Sequence, residues 1–149
     1  MIEEFRFPLP RGELCITLRH DVQVVVYSYM GGVEGEEVVD ILSAFWAAHP
    51  GVRDYAPVTD VSGAENLLGW RGVNSIVAAW RRLMGMQERR RAAIVMRHRT
   101  FDDYIRYVEL VVGDVDLEAF ASLEGAVQWL CEGRTLEPER PDGPAPATP

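Results

Sequence analysis

Lysine is absent from this chain: all 15 basic side chains are arginine. That absence excludes chemistry running through a Schiff-base amine or through the phosphate-gripping lysine of a P-loop. Arginine favours planar, two-point contact with carboxylates and phosphates, yet its uniform use reads first as a codon preference. Cysteine is scarce. Cys15 and Cys131 cannot build a disulfide framework, have no CxxC partner and no neighbouring histidine, so no metal site is expected and both read as small interior fillers. The histidines are few and scattered: His20 beside Asp21 in a turn, His49 at a helix end, His98 between Arg97 and Arg99. Dispersed imidazoles supply no acid-base constellation, and His49 suits a helix cap. No apolar run approaches the roughly 18 to 20 residues that cross a bilayer, so no membrane span is expected. The opening residues lack the basic-then-apolar order of a secretory signal, which leads to an expected cytoplasmic location. A formal net charge of −8 opposes a nucleic-acid partner.

What is present is enough for one core. The chain has 149 residues, 48% of them hydrophobic, which fits a single domain. Residues 1–133 are expected to fold as that domain. Residues 134–149 are dense in proline and offer no bulky side chain to bury, so they read as a flexible tail without assigned function.

Periodicity divides the domain. Leu14, Ile16 and Leu18 alternate with Cys15, Thr17 and Arg19, and Val22, Val24 and Val26 continue the pattern beyond His20-Asp21, predicting an antiparallel hairpin. Ile2 to Phe7 adds an edge strand before Pro8 and Pro10. Val38, Ile41, Leu42, Phe45 and His49 then recur at helical spacing until Pro50-Gly51. Tyr55 to Val61 reads as a strand ending at Ser62-Gly63, with Pro57 arguing against a central place. Val73, Ile76, Val77, Trp80, Leu83 and Met84 form the clearest helical stripe. Ala92 to Met96 suits a strand buried on both faces. Thr100 caps a helix over Phe101, Tyr104, Ile105, Val108 and Val112. Val115 to Phe120 makes a last strand, and Ser122 caps the helix carrying Leu123, Ala126, Val127 and Leu130. The expected fold is α/β: one mixed sheet, with an opening antiparallel hairpin and later parallel strands, covered by about four helices.

Three further stretches bear on chemistry. Met30 to Gly35 lies between a strand and a helix, but Gly31, Gly32 and Gly35 do not form GxGxxG and no Lys-Ser/Thr follows, so it reads as a turn and no nucleotide cofactor is expected. Arg89, Arg90 and Arg91 with Arg97 and Arg99 flank a buried strand and read as a solvated connection. Of the four tryptophans, Trp46, Trp80 and Trp129 suit the core. Trp70, among Gly69, Arg71 and Gly72, suits the lip of a binding site.

Asp60-Val61-Ser62-Gly63 after a strand, together with Phe120 followed by Ser122-Leu123-Glu124-Gly125-Ala126-Val127-Gln128-Trp129-Leu130, resembles the SpoIIAA-like branch of STAS domains over most of residues 1–133. The resemblance implies a mixed sheet with helices, and a domain that binds proteins or small ligands and regulates them without doing chemistry. In anti-sigma-factor antagonists of the wider family, a serine just before a glycine at a helix start accepts a regulatory phosphate. Here the interval reads Leu67-Leu68-Gly69-Trp70-Arg71-Gly72; Gly72 matches the glycine, no serine precedes it, and Ser62 and Ser75 are the substitutes. The branch is also compared with CRAL-TRIO lipid-exchange domains.

The leading expectation is a non-enzymatic regulatory module that contacts a protein partner through Asp60, Ser62, Gly63, Trp70, Gly72 and Ser75. The alternative is a carrier or sensor of a small hydrophobic molecule beneath Trp70, and a hydrolase using Ser62 stands third because no GxSxG elbow accompanies it. An exposed hairpin edge leaves room for a homodimer.

Overall fold

A computed structural model describes residues 1–85, 90–97, 105–106, 108–109, 113 and 115–132. Six strands form one mixed sheet in the order of the chain: β1 (Ile2–Leu9), β2 (Gly12–Arg19), β3 (Val24–Gly31), β4 (Ala56–Ala64), β5 (Arg90–Val95) and β6 (Val115–Phe120). The first three pair antiparallel and the rest join in parallel. Helix α1 (Gly35–Ala48) links β3 to β4 through a 3-10 turn at Pro50–Asp54, α2 (Trp70–Met84) lies between β4 and β5, and α3 (Leu123–Glu132) follows β6.

Among the described residues the cover is three α-helices, fewer than expected. Of the helix read over Phe101–Val112, residues 105, 106, 108 and 109 are described and have helical backbone. Thr100, His98, Arg89, Arg99 and the segment 134–149 lie outside the described residues.

Two faces, two cores. On one face Leu14, Ile16, Leu18, Val25, Tyr27 and Tyr29 pack under Val38, Leu42, Phe45 and Trp46 of α1 and Ala79 of α2. On the other, Val24, Val26, Val58, Ala93 and Val95 pack under Ala126, Val127 and Leu130 of α3. A third cluster on the α1–α2 face joins Ile94, Val115 and Leu117 to Ile105 and Val108. Double cover corrects the reading of β3. Val22 precedes that strand, and Val24 through Tyr27 are all buried, because helices close both faces where alternation had put solvent on one.

Pro57 does stand in an inner strand. β4 lies between β3 and β5, but its pairing with β5 begins only at Val58↔Ala93, so the proline occupies the part of β4 that pairs with β3 alone. β4 also runs on through Ser62 and Gly63 to Ala64, past the end expected for it. In α2 the stripe holds except at Leu83, which is 39% exposed. Cys15 is no interior filler. It lies on the outer face of β2, where its thiol donates to Glu4 Oε1 at 3.3 Å, and partial burial, then that bond, push its pKa up.

Candidate functional site

Asp60 and Ser62 are brought together by local backbone geometry. Asp60 Oδ1 accepts the Ser62 amide at 3.0 Å and the Ser62 hydroxyl at 2.6 Å, so the carboxylate is spent on closing a turn within its own strand. Asp60 shares the Val58 face of β4, opposite to Thr59 and Val61. Gly63 lies against the thioether of Met30.

Gly72 has a packing role. The amino-terminal turns of α1 and α2 cross there, and a Cβ built on Gly35 would stand 2.8 Å from Gly72 Cα. Backbone this close leaves no room for a side chain at that crossing. Ser75 is exposed one turn further along α2, and Trp70, at the start of α2, is 51% exposed. The six expected residues therefore divide into a strand-internal turn, a helix crossing and an exposed helix surface.

A pocket of about 310 Å³ lies elsewhere, between the sheet and helices α1 and α2. Its floor comes from Tyr27 and Tyr29 of β3, Thr59 and Val61 of β4, and Ala92 and Ile94 of β5. Register explains that set: Tyr27 pairs with Thr59 and Thr59 with Ile94, so strand alternation turns all three side chains to one face. The roof is Leu42 and Trp46 of α1 with Val73, Ile76, Val77 and Trp80 of α2. The Trp46 and Trp80 rings meet edge-on at 4.9 Å between centroids.

Among the described lining residues Asn66, Arg81, Gly85 and Gly113 are exposed. The pocket thus reaches solvent beyond the carboxyl end of β4 and before the amino ends of β5 and β6. Asn66 borders one of these ends and acts as a strand partner. Its Oδ1 accepts the Val33 amide at 2.9 Å, and its Nδ2 donates to the Val33 carbonyl at 2.7 Å. At the other end Arg90 lies over the Trp80 ring, 5.3 Å from its centroid, and donates to the Arg53 carbonyl.

Trp46 donates its indole N–H to the Tyr27 oxygen at 2.9 Å. Burial drives the Tyr27 pKa well above the ordinary tyrosine value, so the phenol stays protonated. The tryptophans that border the pocket are thus Trp46 and Trp80; Trp70 is not among its described lining residues. Sequence reading put Trp80 in an apolar helix stripe and Trp46 in the core, and looked for a ligand beneath Trp70 instead, because a pocket wall and a core face share the same periodicity. Asn66 carried no signal beyond its position in a polar turn.

The two described histidines, His20 and His49, are engaged elsewhere. His20 bonds Tyr55 through Nδ1 and Glu3 through Nε2, tying the β2–β3 turn to β1, and His49 Nδ1 bonds the Phe45 carbonyl at 3.1 Å. No group of His, Cys, Asp and Glu suited to a metal ion occurs among the described residues, and no described helix is long and apolar enough to cross a membrane.

No family model and no curated protein matches the sequence. A crystal structure from Shewanella loihica PV-4, of an uncharacterized protein from the DUF3478 family with a SpoIIAA-like fold, is similar with a TM-score of 0.54. Identity is 12%, and the match covers 87% of this chain and 94% of that one. The fold of this chain is therefore SpoIIAA-like.

Proposed function

We propose that this chain is a non-catalytic, SpoIIAA-like binding module whose ligand is a small hydrophobic molecule held between the sheet and helices α1 and α2. The observation that carries this reading is the pocket of about 310 Å³, within the size range of small-molecule sites and walled by aliphatic and aromatic side chains with few polar groups. An apolar guest there meets protein on several sides and leaves water, which is the main source of affinity for such ligands. Support for a non-catalytic role comes from the groups with reactive potential. Ser62 gives its hydroxyl hydrogen to Asp60, and Tyr27 is held neutral.

Intrinsic fluorescence tests the reading, because two tryptophans wall the pocket. Titration with 1-decanol and with decanoate is expected to shift the emission of the Trp70→Phe variant as much as that of the wild type. Absence of any saturable change with either amphiphile, confirmed by calorimetry, removes the hydrophobic-ligand reading.

A second reading, a regulatory protein contact, is favoured by exposed apolar surface near the carboxyl ends of the strands. Trp70 is 51% exposed, and Met30, late in β3, is 52% exposed; an exposed tryptophan is a common anchor of protein interfaces. Affinity capture with wild-type and Trp70→Asp baits separates the two readings. A protein held by the first and lost from the second supports the contact, and identical capture by both rejects it.

A further inference from the structure

Strand β1 ends the sheet: among the described residues it has β2 on one side and no strand on the other. One bond fixes the direction of its backbone groups. The His20 amide donates to the Met1 carbonyl at 3.1 Å, so Met1 and His20 form a pair of the hydrogen-bonded kind. Such pairs alternate with non-bonded ones, and the β1–β2 register runs unbroken from Ile2↔Arg19 to Leu9↔Gly12. The odd residues of β1 therefore bond to β2, and Ile2, Glu4, Arg6 and Pro8 turn their backbone groups outward. Pro8 suits that place, because it has no N–H to leave unpaired.

The side chains along this edge complement themselves. Glu4 and Arg6 share the outer face of β1 and are 46% and 66% exposed, and Ile2 is 62% exposed. Two copies of β1 laid antiparallel with Glu4 opposite Arg6 bring unlike charges together on both sides of a two-fold axis. That register also sets Ile2 opposite Pro8 and places Phe5 opposite its own copy on the axis. Phe5 is half-buried, with its ring edge-on to Phe45 at 5.2 Å. Sliding the copies by two residues in either direction opposes Glu4 to Glu4 or Arg6 to Arg6, which is unfavourable. Within its own chain Arg6 already meets Glu4 at 2.6 Å and Glu13 at 3.1 Å, but exposed pairs of this kind exchange at little cost.

We propose that the chain forms a two-fold dimer by antiparallel pairing of β1 with β1 of a second copy, in the register that opposes Glu4 and Arg6. The outward N–H and C=O groups of Ile2, Glu4 and Arg6, with the Pro8 carbonyl, complete a backbone ladder, and the two sheets become one. None of the described pocket lining comes from β1 or β2, so this pairing is independent of the ligand reading.

One paired strand is a small interface of the reversible class, so sedimentation equilibrium is run on the full chain up to about 0.5 mM. Salt at about 0.15 M screens the repulsion between two acidic chains while adjacent charges still interact. The wild type is expected to pass from monomer to dimer mass over this range. Glu4→Arg and Arg6→Glu each oppose like charges at both pairs, and each is expected to weaken self-association about tenfold or more. An equimolar mixture of the two variants opposes unlike charges again and is expected to regain dimer, which a merely structural defect in the hairpin would not do. Circular dichroism checks that each variant is folded; should a reversal unfold the chain, Glu4→Gln and Arg6→Gln take its place, each expected to weaken the dimer about threefold. A monomer at every concentration overturns the proposal, as does a dimer that neither substitution weakens. A mixture no more associated than its components overturns the register, and with it the assignment.

Discussion

Trp46→Ala is expected to lower the unfolding free energy by about 3 to 5 kcal/mol, the range for removing a buried tryptophan. Trp46 is 4% exposed and touches both halves of the pocket: its ring meets Trp80 at 4.9 Å, and its N–H holds the Tyr27 oxygen. Truncation removes the dispersion contacts of the indole and leaves the Tyr27 oxygen without its donor. Because the pocket already adjoins the site, little neighbouring side chain is available to collapse into the space, which places the loss toward the upper part of the range. Trp46→Phe keeps most of the apolar contact and loses the hydrogen bond, so its cost is expected to be about 1 to 2 kcal/mol, the value of one such bond plus imperfect packing. Urea unfolding followed by far-UV circular dichroism checks both. A drop in midpoint with an unchanged slope confirms the result, and a Trp46→Ala midpoint equal to that of the wild type contradicts it.

Ala92→Phe is expected to abolish ligand binding, by about a hundredfold or more, without loss of stability. Ala92 projects from β5 onto the pocket floor beside Ile94, and it is only half-buried. A benzyl group there takes up space the ligand needs, and it adds apolar contact of the kind by which cavity-filling substitutions commonly gain about 0.5 to 2 kcal/mol. A hundredfold loss corresponds to about 2.8 kcal/mol of binding free energy, which is the scale of a displaced hydrocarbon segment. Thermal unfolding and titration with decanoate are measured on the same preparation. A variant as stable as the wild type that still binds decanoate equally well places the ligand outside this pocket.

Much of the fold is legible from the chain, because each element carries its own period. Leu14, Ile16 and Leu18 are buried with half-buried neighbours between them, and the strand read over Val115–Phe120 has those bounds in the structure. Ser122 caps α3 through Gly125 N–H at 3.1 Å. Errors cluster where a residue answers to a partner far along the chain. Alternation in β3 is overridden by helices on both faces, and Leu83 falls off the buried side of α2. The Asp60-Val61-Ser62-Gly63 motif is visible as a string, but its bonds turn inward on the strand, and Gly72 answers to Gly35. The pocket was not legible for a related reason. Tyr27, Thr59, Trp46 and Trp80 come from β3, β4, α1 and α2, and no local spacing marks residues that meet only after those elements pack.

Strand order in the sheet follows chain order without exception, each ribbon hydrogen-bonding to the one made just before it. Assembly can therefore proceed as a zipper that starts at the amino terminus, with no segment needing to be threaded between two already joined. Such topologies keep contact order low for a sheet protein and favour fast closure. They also let a nascent chain build its sheet in the sequence in which a ribosome releases it.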